Sequence, residues 1–117
     1  MVTVAQVMNR GDIWMVDLEP VRGHEQGGKR PALVLSADIF NHGPAGNVIL
    51  IPITSRNKRN RLHVLVQPPE GGLKVPSYIK CEDIRAVSKE HCDKRMGAVS
   101  LATMVEVEEI TRTLLEL

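Results

Sequence analysis

Aromatic side chains are scarce in this sequence. Trp14, Phe40 and Tyr78 are the only aromatic residues among 117. Proteins that hold single-stranded nucleic acids by base stacking use several aromatic side chains for that purpose. If this chain binds RNA, it must therefore rely on charge, backbone contacts and pockets more than on a stacking platform.

Cysteines are rare, and the common catalytic motifs are absent. Cys81 and Cys92 form no CxxC pair, and the four histidines have no zinc-ligand spacing. We therefore expect no metal and no cofactor, and a disulfide is not needed at this length. The patterns GxxxxGKS/T, HExxH and GxSxG do not occur, which argues against nucleotide hydrolysis, zinc proteolysis and α/β-hydrolase chemistry.

No segment of the sequence has the pattern of a membrane anchor or a signal peptide. No apolar run approaches the roughly 20 residues that a membrane helix needs, and Met1–Arg10 lacks a signal-peptide pattern. The length of 117 residues suits one hydrophobic core. We predict a single cytoplasmic domain over residues 1–117, with a flexible arm over residues 1–8 and no membrane partner.

The net charge of +1 does not by itself indicate a nucleic-acid partner. The two halves of the chain differ, however. Residues 1–63 hold eight Lys/Arg against five Asp/Glu, and residues 64–117 hold seven against nine, so the halves carry +3 and −2. This asymmetry favours an anionic ligand bound by the first half.

Short apolar segments between turn residues predict five or six strands followed by one helix. The predicted strands cover Ile13–Leu18, Arg30–Ala37, Asn47–Thr54, 62–67 and Ser77–Val87, with a short turn or strand over Ser88–Met96. Closely spaced antiparallel strands of this kind curl readily into a small barrel. The apolar run Ala32–Leu35 indicates a strand buried on both faces or central in the sheet.

Four local features refine this prediction. Pro52 cannot donate to a ladder, so we expect a bulge or an edge there. The apolar alternation slips near Glu82–Asp83, which predicts a bulge within the fifth strand. One helical turn is expected over Asp38–Asn41. Ser100 is a suitable N-cap for a helix over Leu101–Leu117, whose predicted apolar face consists of Met104, Val107, Ile110, Leu114 and Leu117.

A glycine-rich polar loop precedes the second strand. Gly23–Pro31 places two cations, a carboxylate and an imidazole among glycines, directly before a buried segment. Loops positioned in this way by a rigid scaffold often carry binding and catalytic residues. Arg30 stands at the junction, where a guanidinium suits bidentate phosphate binding, although it would also suit a solvated strand end.

Hydroxyl and basic residues follow the third strand. Thr54 and Ser55 could donate to a phosphate oxygen, or could simply be a strand residue followed by a turn residue. The segment Arg56–Arg61 has four cations in six positions, enough to neutralise a few phosphates, and would look the same as an ordinary solvated loop. Glu25 is the carboxylate of the first loop and a candidate general base.

Four segments in order resemble the MazF/PemK family of toxin endoribonucleases. They are Arg10–Trp14, Gly23–Pro31, Asn47–Ser55 and Ile79–Arg85. The resemblance extends from Asn9 to Leu117. It implies a mainly β fold, an SH3-like antiparallel β-barrel with a C-terminal helix. It also implies a homodimer that cleaves single-stranded RNA at a short sequence and is neutralised by a MazE-like antitoxin with a disordered C-terminal tail.

The resemblance also assigns residues. The family's catalytic arginine and threonine fall on Arg30 and Thr54, and Glu25 and Ser55 match assisting positions. The predicted site is catalytic at Arg30, Thr54 and Glu25, and substrate-binding at Ser55, Lys29, His24, Gln26, Arg56, Lys58, Lys80 and Glu82. Where some members have Arg-Cys-Asp, this chain has Lys80-Cys81-Glu82, and lysine lacks the fork geometry of arginine.

Two other functions fit a barrel of this size. A gyrase poison of the CcdB type shares the fold, but that activity needs a C-terminal Trp-Gly-Ile, whereas this chain ends in Leu114-Leu115-Glu116-Leu117. A non-catalytic barrel that binds RNA or peptides would make the grouping of Arg30, Thr54 and Glu25 coincidental. We therefore predict metal-free RNA cleavage through attack by the substrate's own 2′-hydroxyl.

Overall fold

The protein folds as one antiparallel sheet packed against a C-terminal helix. The computed structural model describes residues 7–19, 23 and 27–117. Its strands are β1 Asp12–Asp17, β2 Lys29–Val34, β3 Asn47–Thr54, β4 His63–Val66, β5 Ser77–Lys80, β6 Arg85–Ser88 and β7 Cys92–Ala98. Its helices are α1 Asp38–Asn41 and α2 Leu101–Leu115, and 3-10 turns cover Glu70–Gly72 and Lys89–His91.

The strand order is β4-β5-β3-β2-β1-β7, with β6 also paired to β3, and every pair is antiparallel. The prediction of a mainly β, barrel-like antiparallel fold with one C-terminal helix is confirmed. The predicted helical turn at Asp38–Asn41 is also present. The segment Ser88–Met96, expected to be a turn or short strand, contributes most of β7, which pairs with β1.

Strand β3 changes partner along its length. Residues Asn47–Leu50 pair with β6, and Ile53–Thr54 pair with β5. Pro52 lies between these two stretches, in a central strand that β2 covers on the other side. Of the bulge or edge predicted at Pro52, the edge is wrong, because β3 is a central strand there. The missing N–H falls between the residues that pair with β6 and those that pair with β5.

The single predicted strand Ser77–Val87 is also wrong. The chain turns at Cys81–Glu82, so that β5 and β6 are separate strands pairing with different parts of β3. The slip in apolar alternation marked this break correctly, but a full turn replaces the expected bulge.

Alternating side chains divide the core into two clusters on opposite faces of the central strands. In β2, Leu33 belongs to the first cluster, whereas Ala32 and Val34 belong to the second. In β3, Ile51 belongs to the first cluster and Leu50 to the second. These five side chains are fully buried, so the apolar run in β2 reflects burial on both faces, as predicted.

Helix α2 covers the first cluster with Met104 and Val107. Ser100 caps it as predicted, since its Oγ accepts a hydrogen bond from the N–H of Thr103 at 3.2 Å. The predicted apolar face fails at its C-terminal end, where Leu114 is 38% exposed and Leu117 is 83% exposed. The helix ends at Leu115, so Leu117 never joins that face.

The N-terminus of α2 is also bound by a side chain from outside the helix. One carboxylate oxygen of Glu70, Oε2, accepts from Thr103 Oγ1 at 2.6 Å and from Ser100 N at 3.0 Å. Burial would raise the pKa of Glu70, but these hydrogen bonds outweigh it and hold the pKa below its ordinary value of 4.5. Glu70 therefore contributes to stability in its ionised form.

Replacing Glu70 with alanine is expected to lower the free energy of unfolding by about 1 kcal/mol near neutral pH, as for other lost caps. Because the folded-state pKa is depressed, the contribution of the charge is complete above pH 4.5 and is lost as pH falls through the folded-state pKa. Urea unfolding of both proteins between neutral pH and pH 3 should show the difference shrinking as pH falls. A difference that stays constant or grows on acidification would contradict this assignment.

The N-terminal arm expected over residues 1–8 lies mostly outside the described residues, and Met8 is fully buried in the second cluster. Cys81 and Cys92 are both buried and do not form a disulfide with each other. Burial raises the pKa of Cys81 to about 12 and that of Cys92 to about 11, so both resist ionisation at neutral pH. No helix in the described ranges is long and apolar enough to cross a membrane.

Candidate active site

A cleft of about 550 Å³ opens where the ends of β2 and β3 meet β7 and the segment after Gly72. Apolar side chains such as Met15, Ile53 and Met96 form part of its wall. The polar lining consists of Arg30, Lys74, Lys94 and Arg95, which are cationic, and of Thr54, Ser55 and Ser77, which carry hydroxyls. The cleft thus contains three of the residues that the sequence predicts.

Arg30 enters the cleft from the start of β2. Its backbone pairs with Val16 of β1, and the next residue, Pro31, also lines the cleft. The side chain is half-buried, and its Nε donates to the carbonyl oxygen of Gly27 at 2.9 Å. That bond orients the guanidinium plane, which matters because bidentate phosphate recognition depends on the direction of the fork.

Thr54 reaches the cleft from the last position of β3. It pairs with Tyr78 of β5 and is only 3% exposed. Its Oγ1 accepts a hydrogen bond from the N–H of Arg56 at 3.2 Å. Since a hydroxyl both accepts and donates, this bond leaves the Thr54 proton available to a ligand in the cleft. The next residue, Ser55, is exposed at the rim and offers a second hydroxyl.

The charge of the cleft is of one sign. Four of its lining side chains are cations, and none of the described lining residues is an acid. A concave, partly apolar site lined in this way concentrates anions and strengthens their interactions relative to bulk water. The arrangement can bind a phosphate diester and can stabilise additional negative charge on it.

Sequence reasoning missed Lys74, Lys94 and Arg95. Lys74 lies at a bend shortly before Pro76, and the other two lie in the segment Ser88–Met96, which the sequence predicts as a short turn or strand. Adjacent cations are common on surfaces, so nothing local distinguishes this pair. Only the pairing of β7 with β1 brings Lys94 and Arg95 to the cleft.

The remaining predicted residues fall in three other places. His24, Glu25 and Gln26 lie outside the described residues. Lys29 is exposed and lines a separate depression on the β1–β7 side of the sheet. Arg56 and Lys58 are exposed on the connector that follows the cleft rim.

Lys80 and Glu82 are not part of the cleft lining. The Lys80 side chain is 7% exposed, and its ammonium lies 3.9 Å from Asp83, while Glu82 accepts a hydrogen bond from His63 Nε2 at 3.0 Å. Burial would raise the pKa of Glu82, but the hydrogen bonds from His63 and from its own backbone N–H, together with the charges of His63 and Lys80, keep it below its ordinary value. These residues form a separate polar cluster at the β5–β6 turn.

Comparison with known proteins identifies the family. A family model described as PemK-like, MazF-like toxin of type II toxin–antitoxin systems matches residues 9–115. The chain belongs to this toxin family. Endoribonuclease MazF9 of Mycobacterium tuberculosis is 34% identical over 116 residues, which cover 95% of this chain and 98% of that protein.

Solved structures of MazF proteins show the same fold. The crystal structure of MazF from Deinococcus radiodurans superposes with a TM-score of 0.87 at 27% identity, covering 97% of this chain and all of that one. MazF in a MazE–MazF complex from the same organism superposes with a TM-score of 0.79, also at 27% identity, covering 97% and 99% of the two chains. In this MazF-like chain the cationic cleft is therefore built on a fold that the family shares.

Proposed function

We propose that this MazF-like toxin is an endoribonuclease that cleaves single-stranded RNA, including mRNA, at a short sequence and without a metal ion. The observation that carries this proposal is the cleft that brings together Arg30 and the Thr54 hydroxyl, and whose charged lining residues are all cations. The name of the M. tuberculosis relative, an endoribonuclease, supports the same reaction. Cleavage of mRNA would inhibit translation and growth, and the substrate implies a cytoplasmic site of action.

The substrate supplies the nucleophile in this reaction. The 2′-oxygen attacks the adjacent phosphorus and loses its proton to a base, while the bond from phosphorus to the 5′-oxygen breaks and that oxygen takes up a proton. The products are a 2′,3′-cyclic phosphate and a 5′-hydroxyl end. The protein must hold these atoms in line and stabilise the pentavalent intermediate.

Arg30 and Thr54 suit the second of these tasks. The guanidinium held by Gly27 and the hydroxyl oriented by the Arg56 N–H are fixed donors, so they need little reorganisation when charge develops on the phosphate.

Among the described residues no group of three or more His, Cys, Asp or Glu side chains could hold a metal ion. Glu25 is our candidate for the base, because an arginine pKa is too high for proton exchange at neutral pH.

The proposal includes two protein partners. A MazE–MazF complex is known for the D. radiodurans protein, and we propose that this chain is likewise neutralised by a MazE-like antitoxin with a disordered C-terminal tail. A cationic cleft would suit an acidic segment of such a tail as well as RNA. We also propose that the toxin acts as a homodimer.

Purified protein incubated with cellular RNA in excess EDTA tests the reaction directly. We expect cleavage at a recurring short sequence, read by sequencing the 5′ ends, with 5′-hydroxyl and 2′,3′-cyclic phosphate termini. An oligonucleotide of that sequence with a single 2′-deoxy residue before the scissile phosphate should resist cleavage, because it lacks the nucleophile.

The same experiment separates the alternatives. Cleavage of the 2′-deoxy substrate, or cleavage that requires added Mg²⁺, would contradict the proposed chemistry. Binding without cleavage, on RNAs that cover all short sequence contexts, would indicate a non-catalytic RNA-binding barrel instead.

A further inference from the structure

Strand β7 is irregular where it lines the cleft. Its pairing with β1 has two register shifts, one between Ile13 and Trp14 and one between Met15 and Val16. Trp14 and Met15 pair with Arg95 and Lys94, so these two cations lie between the shifts. Bulges of this kind change the direction of side chains and are frequent beside active sites.

The β7 residues that line the cleft are consecutive in the sequence. In a regular strand successive side chains point to opposite faces, yet Lys94, Arg95 and Met96 are consecutive and all line the cleft. The second shift leaves Asp93 as the extra residue in the ladder, and Asp93 is not a lining residue. The cleft lining therefore includes two cations of β7 but not the adjacent acid.

Arg95 is held by a buried carboxylate. Its Nε donates to Asp12 Oδ1 at 3.2 Å, and the Asp12 side chain is only 4% exposed. The other oxygen of Asp12 accepts from Asn9 N at 3.0 Å and from Trp14 Nε1 at 3.3 Å. With three donors around it, the carboxylate is a fixed anchor rather than a mobile surface group.

Asp12 contacts the Nε edge of the Arg95 guanidinium and not the edge formed by the two Nη atoms. An arginine has five N–H donors, and Asp12 takes the one on Nε. No hydrogen bond within the described part of the chain engages the Nη atoms, and the side chain is 53% exposed. The paired Nη donors are therefore available to an anion in the cleft, in an orientation that Asp12 sets.

Arg95 is well separated from Arg30 in the sheet. Arg30 lies on β2 opposite Val16, and Arg95 lies on β7 opposite Trp14, so two strand spacings and two residues along β1 place their backbones roughly 12 Å apart. Each guanidinium is also tied at Nε to its own acceptor, Gly27 for one and Asp12 for the other. This arrangement suits two phosphates of one strand better than a single shared phosphate.

We propose that Lys94 and Arg95 bind a second RNA phosphate beside the one held by Arg30, and that buried Asp12 is the positioning residue for Arg95. This inference rests on the proposed RNA cleavage and concerns substrate binding in the same cleft. A contact made equally in the ground state and in the transition state lowers KM and leaves kcat nearly unchanged.

The first test compares Arg95→Gln with Arg112→Gln, a matched loss of one positive charge on the exposed end of α2, away from the cleft. With an RNA oligonucleotide of the cleaved sequence, Arg95→Gln is expected to raise KM about tenfold, the effect of one charge-assisted hydrogen bond, with a much smaller change in kcat. For binding of this variant to the 2′-deoxy RNA, the slope of log K against log salt concentration should be less steep by about 0.7, the value for one phosphate contact. Arg112→Gln should change neither quantity.

The second test isolates Asp12. Asp12→Asn removes a negative charge near the cleft, so it would tighten RNA binding if only the charge mattered. We expect the opposite, a raised KM, because Arg95 loses its anchor. In an Arg95→Gln background the same substitution should add nothing to KM, and thermal unfolding of each variant reports any general loss of stability.

These outcomes separate the inference from the proposed function. Cleavage by the wild type with an Arg95→Gln variant that behaves like Arg112→Gln would overturn the second phosphate contact alone. Tighter binding by Asp12→Asn, or an equal effect of Asp12→Asn in both backgrounds, would overturn the positioning role. If the wild type cleaves no RNA, the proposed function fails, and the salt slopes of binding to a short random-sequence RNA still decide the inference.

Discussion

RNA cleavage by the Arg30→Ala variant should fall by at least about a hundredfold in kcat, because one preorganised donor to the developing charge is lost. The loss should appear mainly in kcat, since the phosphate gains charge only as the reaction proceeds. Single-turnover cleavage of the identified oligonucleotide measures it. Arg30 is half-buried at the start of β2, so the free energy of unfolding should change by less than about 1 kcal/mol.

Arg30→Lys is the matched control for charge. Lysine keeps the positive charge but lacks the planar fork and cannot reproduce both the bond to Gly27 and a bidentate phosphate contact. We therefore expect Arg30→Lys to recover little of the lost activity. Undiminished cleavage by Arg30→Ala, in a variant that unfolds at the wild-type urea concentration, would contradict the mechanism.

Substitution of Gly72 by alanine is expected to produce the largest loss of stability, about 3 kcal/mol or more in the free energy of unfolding. Gly72 has φ +73°, and a Cβ at this position would overlap the carbonyl oxygen of Met96 in β7. The clash is with backbone, which cannot rotate away as a side-chain end could. Urea unfolding followed by circular dichroism measures the loss.

Gly46→Ala measures the effect of a positive φ without a steric clash, and so isolates the effect of the clash at Gly72. Gly46 has φ +76°, but nothing lies within 4 Å of a Cβ built there, so its substitution should cost only about 1 kcal/mol. Equal losses for Gly46→Ala and Gly72→Ala would show that the positive φ alone matters. That result would contradict the close approach of the Glu70–Gly72 turn to β7.

The part of the site that the sequence could predict is the part with a local signal. Arg30 follows a glycine-rich loop and precedes a buried run, and Thr54 closes a strand rich in β-branched residues. Both signals come from neighbours in the chain. The resemblance to MazF/PemK toxins assigns the catalytic arginine and threonine to the same two residues. The structure brings both into one cleft.

The other cations of the cleft could not be predicted in this way. Lys74, Lys94 and Arg95 come from the half of the chain with a net charge of −2, whereas the charge asymmetry pointed to the first half. Their location depends on which strands pair and on two shifts of register, which composition does not record. For Lys80, the resembling motif predicts an RNA contact, and the structure places this residue outside the cleft lining, with its side chain 7% exposed and its ammonium 3.9 Å from Asp83.

The fold was predictable in class and less so in detail. The alternation of apolar residues identified the central strands, since burial on both faces leaves a continuous run in β2. It could not show that β3 exchanges β6 for β5 at Pro52. That exchange depends on how the chain turns at Cys81–Glu82, and a turn and a bulge produce the same slip in a pattern.

The pairing of β1 with β7 joins residues near the two ends of the chain, and this has a consequence for synthesis. Arg30 and Arg95 are separated by 65 positions, and Asp12 is 83 positions from the arginine that it holds. Contacts so distant in sequence form late, because a long loop must close before they are gained. A nascent chain on the ribosome therefore has no complete cleft until β7, which ends at Ala98, has emerged.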